Sequence, residues 1–308
     1  MSVDGARIGF AGLGQMGFHL AGHVEAAATA RGVSVVAYDP SAEMRERAVA
    51  AGRTTTDEPL TELGDGDLLC ISVPDGAAVR AVIAGLGDLG RCSGLVILDF
   101  SSVSPGDAVE IGTMAATHGV RYVDAPVTGG VAAAELGTLT TIAGSNEADL
   151  EAIAWVAEAF SKKVVYAGQL GSGALLKSVN NMIFNVASIA SMEGILLARS
   201  AGITDDVLLD VLNNGTGVTY FSQVRYPRYI ASGGFDAGMR VGLVNKDLQI
   251  ALDAAEAAGV DLEFCNIGRR MWADALDVLD PGADSTEMMD MVSKRVSGVP
   301  VRDVLGLH

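Results

Sequence analysis

The chain has 308 residues, with 38 acidic against 21 basic side chains and a formal charge of −17 at neutral pH. That balance repels phosphate backbones and anionic bilayers, so nucleic acid and membrane are excluded as expected partners. The length suggests two domains, and a mean hydropathy of +0.34 calls for a large core or for apolar surface covered by another subunit.

The opening Met-Ser-Val-Asp-Gly-Ala has no basic stretch or cleavage signal and leads straight into an apolar strand, Arg7–Ala11. With three scattered cysteines, Cys70, Cys92 and Cys265, a reducing cytoplasmic location is expected. Gly12-Leu13-Gly14-Gln15-Met16-Gly17 follows the strand at once and opens a helix over Gly14–Ala30. This glycine spacing gives a tight turn, lets backbone approach a pyrophosphate, and allows close helix–strand packing. The phosphates then sit where free amides and the helix dipole attract negative charge. His19 and His23 lie one turn apart on that helix but lack a third ligand, so packing or surface roles are expected and no metal.

A second strand, Val33–Tyr38, ends in Asp39, about 20 residues beyond the last glycine, as ribose recognition requires. A carboxylate there accepts from both ribose hydroxyls of NAD and repels the 2′-phosphate of NADP. NAD is therefore expected, although Arg45 and Arg47 nearby are possible phosphate partners. Strands at Asp67–Val73, Leu95–Asp99 and Arg121–Val123 alternate with helices at Glu43–Ala51, Ala77–Ala84 and Gly106–Thr117. A further pair, Leu139–Ala143 and Lys163–Tyr166, flanks a helix at Glu147–Phe160. The pattern predicts a doubly wound, mostly parallel Rossmann domain over residues 1–168.

Between those strands, Asp124-Ala125-Pro126-Val127-Thr128-Gly129-Gly130 places a hydroxyl beside two glycine amides, a nest suited to an anion. After Gly168 the strand signal stops. Residues 169–308 read as an all-α domain for substrate and oligomer contacts, entered through one long helix over Ala174–Ala201, with further helices at Asp205–Leu212, Asn245–Ala258 and a C-terminal set. Gly202 and Gly259 stand where helix C-caps want a residue tolerant of positive φ. On the long helix Lys177, Asn181 and Asn185 recur at i, i+4 spacing, one polar stripe on an otherwise apolar surface. Such a stripe and Glu193 suit a bilayer span poorly. An ammonium buried among apolar helices needs a reason, and loss of its charge would make it a base.

These motifs together resemble the β-hydroxyacid dehydrogenase family, which includes 3-hydroxyisobutyrate dehydrogenases, tartronate semialdehyde reductases and L-threonate dehydrogenases. Four segments carry the likeness: the glycine-rich turn, Asp124–Gly130, Gly171–Asn181, and Lys246-Asp247-Leu248. The resemblance implies an NAD-dependent oxidoreductase of a small 3-hydroxy acid, with Lys177 as general acid/base and Asn181 orienting substrate or lysine. It implies that Thr128, Gly129, Gly130 and Asn180 bind substrate. Val73, Pro74, Ser102 and Lys246 join Gly12, Leu13, Gly14, Gln15, Met16, Gly17 and Asp39 at the cofactor. The site is expected in a cleft between the C-terminal edge of the sheet and the helical domain, and the apolar circumference of the long helix with the positive mean hydropathy points to a homodimer or homotetramer.

The chain departs from the family pattern at Thr128, where serine is usual, at Ser102, where threonine is usual, and at Gly238-Met239-Arg240, where an aromatic often stands. Arg240 could meet a second anionic group but reads more simply as a solvated arginine. Rival readings are a decarboxylating dehydrogenase akin to 6-phosphogluconate dehydrogenase, an imine reductase, and a catalytically silent NAD-binding module. Trp155, Trp272, Met288, Met289 and Met291 read as core or subunit contact. The acidic run Asp274, Asp277, Asp280, Asp284 and Glu287 reads as a solvated face.

Overall fold

The computed structural model describes residues 6–58, 60–145 and 147–307. It divides into two compact units, Met1–Lys177 and Ser178–His308, and the division falls inside one helix. In the first unit the strands are β1 (Arg7–Ala11), β2 (Ser34–Tyr38), β3 (Thr55–Thr56), β4 (Leu68–Ile71), β5 (Val96–Asp99), β6 (Arg121–Asp124), β7 (Val127–Thr128), β8 (Leu139–Gly144) and β9 (Ser161–Gly168). They share one sheet in the order β3-β2-β1-β4-β5-β6-β8-β7, with β9 on the free side of β8. The helices between them are α1 (Gly17–Thr29), α2 (Ala42–Ala50), α3 (Gly76–Gly85), α4 (Pro105–Ala116), α5 (Gly130–Glu135) and α6 (Glu147–Glu158).

The central strands are apolar on both faces because helices cover both. Ile8, Phe10, Leu68, Cys70, Val96 and Leu98 point into one core with Leu20 and Val24 of α1. Their neighbours Leu69, Ile71 and Ile97 point into the other with Val79, Ile83 and Ile111. Ser41, Asp75 and Ser104 each accept from a backbone N–H in the first turn of α2, α3 and α4, caps worth about 1 kcal/mol apiece. Strands β1 to β6 are parallel, as expected, but β8 runs antiparallel to β6 and β7. The sequence pattern did not indicate β3 or β7, since a two-residue strand is too short to show a period.

Helix α7 (Ser172–Ser200) crosses the division. At 29 residues it is long and apolar enough to cross a bilayer, but Asn181, Asn185 and Ser188 are buried on it, as on a core helix. The second unit adds α8 (Asp205–Asn214), a π-helical turn over Phe221–Ile230 containing Pro227, α9 (Val241–Ala257), α10 (Glu263–Ala275), α11 (Met288–Ser297) and α12 (Val301–Leu305). Its core gathers Met182, Ile189, Met192, Tyr226, Leu248, Trp272, Met288 and Met289. Gly202 and Gly259 take φ of +80° and +69°, the left-handed conformation expected of them. Helix α9 starts at Val241, one turn earlier than the sequence pattern suggested. Asp284 is no solvated acid: its carboxylate accepts from the N–H of Gly238 and from the N–H and hydroxyl of Thr286.

Candidate active site

The glycine-rich turn leaves β1 and enters α1 with its three glycines in different roles. Gly12 has φ of +98°, and a Cβ there would collide with the Ser72 carbonyl on β4's extension. At Gly17 a Cβ would collide with the Gly12 carbonyl. Gly14 is exposed, and a Cβ on it would meet nothing within 4 Å. Two glycines thus let the turn close, and the third leaves open backbone at a helix N-terminus, which fits a dinucleotide pyrophosphate. Leu13 is fully buried beneath the turn, Met16 is half-buried, and Gln15 faces solvent.

Asp39 lies just past β2, 9% exposed. Its Oδ2 accepts from Leu13 N–H at 2.7 Å and its Oδ1 from Ser41 N–H at 2.9 Å. The carboxylate is thereby fixed to the glycine turn, with one further lone pair on each oxygen for a ribose hydroxyl. The two arginines are already engaged. Arg45 donates to the carbonyls of Asp39 and Pro40 at 2.6 and 3.1 Å, and Arg47 lies 3.8 Å from the Phe18 ring centroid. His23 contacts the carbonyls of Ala134 and Glu135 through Nε2, a packing role. Val73 and Pro74 follow β4, and Val73 donates its N–H to Ser101 at 2.9 Å. Ser102 stands half-buried beside that serine after β5.

At the far strands the first unit shows a carboxylate that sequence reasoning did not single out. Asp124, the last residue of β6, is fully buried. Its Oδ1 accepts from Gly171 N–H and its Oδ2 from Ala174 N–H, each at 2.8 Å. It therefore caps the first turn of α7, three residues before Lys177. A Cβ on Gly173 would strike the Asp124 carboxylate, its carbonyl and the Ile142 carbonyl, so the glycine lets the helix start against β6 and β8. Burial pushes the Asp124 carboxyl up to about 6, against the two capping N–H groups that pull it down, with buried Asp99 pushing the same way as burial. Asp99 sits opposite on β5 and accepts from Tyr122 Oη at 2.5 Å and Ser101 N–H at 2.9 Å. Only three residues separate Asp124 from Thr128. Thr128 and Gly129 are half-buried and Gly130 is exposed; Gly129 and Gly130 hold φ of +134° and +78°, which turns the chain from β7 into α5. Lys177 is half-buried, less enclosed than the apolar sequence of α7 suggested.

In the second unit, Asn181 is 9% exposed and Asn185 1%. Asn181 Nδ2 donates to Asp247 Oδ2 at 2.7 Å, while its carbonyl accepts from Asn185 Nδ2 at 2.9 Å. Asn180, exposed, donates to Asn181 Oδ1 at 3.1 Å. Asp247 therefore fixes which way the Asn181 amide faces, and its place in Lys246-Asp247-Leu248 was the signal for it. Lys246 is half-buried beside it on α9, and Arg240 is exposed at that helix's N-cap.

The family model described as NAD binding domain of 6-phosphogluconate dehydrogenase matches residues 7–168. The one described as NAD-binding of NADP-dependent 3-hydroxyisobutyrate dehydrogenase matches residues 171–292. A 2-(hydroxymethyl)glutarate dehydrogenase of Eubacterium barkeri is 31% identical over 96% of this chain and 97% of its own. The chain belongs to the β-hydroxyacid dehydrogenase family. A probable 3-hydroxyisobutyrate dehydrogenase of Mycobacterium tuberculosis is 31% identical over 82% of this chain and 86% of its own. Among solved structures, the 3-hydroxyisobutyrate dehydrogenase of Mycobacterium tuberculosis with L-serine superposes with a TM-score of 0.82 at 27% identity, covering 93% of this chain and 99% of that one. This β-hydroxyacid dehydrogenase is thus an oxidoreductase of hydroxy acids with a nicotinamide dinucleotide cofactor, and the Rossmann-plus-helical architecture is the family's.

Proposed function

We propose that the chain oxidises the C3 hydroxyl of a small 3-hydroxy acid with NAD as acceptor and runs the reverse reduction. The observation that carries this is the stripe on α7, where Lys177 stands one turn from a buried Asn181 whose amide is held by Asp247. A bound nicotinamide would supply the acceptor for the hydride that leaves C3. Lys177 Nζ takes the hydroxyl proton during oxidation and returns it to the developing alkoxide during reduction, a positioned proton transfer worth about 10²–10⁴-fold. Asn181 and Asn180 orient the substrate or the lysine. Thr128 and the amides of Gly129 and Gly130 hold the substrate carboxylate. Gly12 to Gly17 would hold the pyrophosphate and Asp39 the ribose, with Val73, Pro74, Ser102 and Lys246 completing the cofactor's surroundings. Residues 1–168 supply the cofactor domain and residues 169–308 the substrate and subunit contacts.

A panel of 3-hydroxyisobutyrate, L-serine, L-threonate and glycerate, assayed for reduced cofactor at 340 nm with NAD and with NADP, tests the reading. At least one acid should turn over, with higher kcat/KM on NAD, since the Asp39 carboxylate would repel a 2′-phosphate and Arg45 is spent on main-chain carbonyls. Turnover of none, or a clear NADP preference, would refute it in whole or in its cofactor assignment.

A homodimer or homotetramer in the cytoplasm completes the proposal. Leu176, Ile183 and Leu197 of α7 are 43%, 59% and 70% exposed, and Phe264 of α10 is 78% exposed, apolar surface that a second copy would cover. Sedimentation velocity at micromolar concentration should give at least twice the 31.6 kDa chain mass. A fully active monomer would defeat this part.

A further inference from the structure

A cleft of about 630 Å³ lies wholly within the second unit, along the hairpin of α9 and α10. Its charges are sorted by element. Asp253 and Glu256 of α9 and Asp261 of the turn supply the acids, and Arg269 and Arg270 of α10 supply the cations. All of these but Arg269 are exposed. Among the described residues none of the five forms an ion pair within the chain. A neutral amide stands between the two sets: Arg269 Nη2 donates to Gln249 Oε1 at 2.7 Å, and Gln249 Nε2 donates to Asp253 Oδ1 at 2.6 Å. Leu252, Val260 and Leu262 add apolar wall, and Val260 is 52% exposed.

A chain of charge −17 repels its own copies in most orientations, so a face for self-association must set cations against acids. Opposite charges carried on separate helices do this about a two-fold axis. In such a contact one patch meets itself reversed, so that residue i touches j and j touches i. The acids of α9 in one copy then face the arginines of α10 in the other, on both sides of the axis, while the apolar wall of each copy loses water. A small ligand, by contrast, is mostly enclosed by its site, whereas four of these five charged residues stand in solvent. We infer that this cleft is a two-fold contact between copies of the chain, held by Asp253 and Glu256 of each copy against Arg269 and Arg270 of the other. This rests on the homo-oligomer reading and assigns it a face.

The test is an exchange of charge, read by sedimentation velocity over a micromolar dilution series. Asp253→Lys with Glu256→Lys leaves Asp261 as the one acid among the five, and Arg269→Glu with Arg270→Glu makes all five acidic. Each double variant alone sets like charges against one another. Exposed pairs are individually weak, but four are reversed at once, so the dissociation constant should rise by about 10-fold or more and the assembled mass should fall by half on dilution. Mixing the two variants in equal amounts should restore assembly, because a basic face then meets an acidic one. A misfolded chain would show no such rescue. Should either double variant fail to fold, Glu256→Lys and Arg270→Glu, single changes at exposed side chains, allow the same exchange with a smaller shift. Wild-type mass kept by both variants, or a mixture that assembles no better than either alone, overturns the inference and leaves the homo-oligomer to another face. A monomeric wild type overturns both.

Discussion

Replacing Lys177 by methionine should abolish hydroxy acid oxidation and leave NAD binding nearly intact. Methionine keeps much of the apolar stem of lysine but offers no nitrogen to take a proton. The loss should reach about 10²–10⁴-fold in kcat, the contribution of a positioned acid/base. Cofactor affinity is expected to hold because the groups proposed to grip the dinucleotide lie elsewhere: the open backbone at Gly14, the carboxylate of Asp39, and the β4 and β5 ends. Steady-state kinetics and titration of NAD by fluorescence separate the two effects. Wild-type turnover in the variant, or loss of NAD binding with loss of activity, would show that Lys177 is not the acid/base.

The second large effect concerns Asp124. Asp124→Asn should destabilise the chain and slow turnover, because an amide offers one acceptor where two backbone N–H groups, Gly171 and Ala174, now find one each. An orphaned buried N–H costs about 1–3 kcal/mol, and the first turn of α7 carries Lys177 three residues on. The pH dependence has a definite sign. The Asp124 carboxyl is pushed up to about 6 by burial, whereas an unfolded aspartate titrates near 3.9. Folding thus favours the protonated form, so this group's stabilisation is full below about pH 4 and is lost as pH rises through 6, a swing of roughly 3 kcal/mol. The variant lacks that swing. Urea unfolding at pH 5 and pH 7.5 should therefore show a wider gap between wild type and Asp124→Asn at the lower pH. A gap that is constant, or wider at pH 7.5, would contradict the placement of this carboxylate.

The parts of this protein legible from sequence are those whose signal is local. The glycine turn, its strand and its helix occupy a few adjacent residues, and Asp39 follows at a fixed interval. The Lys177–Asn181–Asn185 stripe is a matter of helical spacing. What escaped depends on contacts between distant segments. Asp124 bonds to groups 47 and 50 residues away, and Asn181 to a carboxylate 66 residues away. No periodicity records such pairs. Asp284 likewise looked like one more acid in a charged run until its bond to Gly238, 46 residues back, showed it closing a turn. The Phe221–Ile230 turn holds Pro227, which argues against an α-helix by removing a donor, so no helical spacing pointed to it. The enclosure of Lys177 was overread for a related reason: an apolar helix sequence says that a surface must be covered, not that one chain does all the covering.

The most direct test of the central claim follows the hydrogen itself. 3-Hydroxyisobutyrate, or whichever 3-hydroxy acid the panel finds best, is prepared with deuterium at C3 and turned over with NAD by the wild type. The reduced cofactor should carry deuterium at its nicotinamide C4, and Lys177→Met under the same conditions should form it about 10²-fold or more slowly. Reduced cofactor without deuterium, or no reduced cofactor from any 3-hydroxy acid, would contradict hydride transfer from C3.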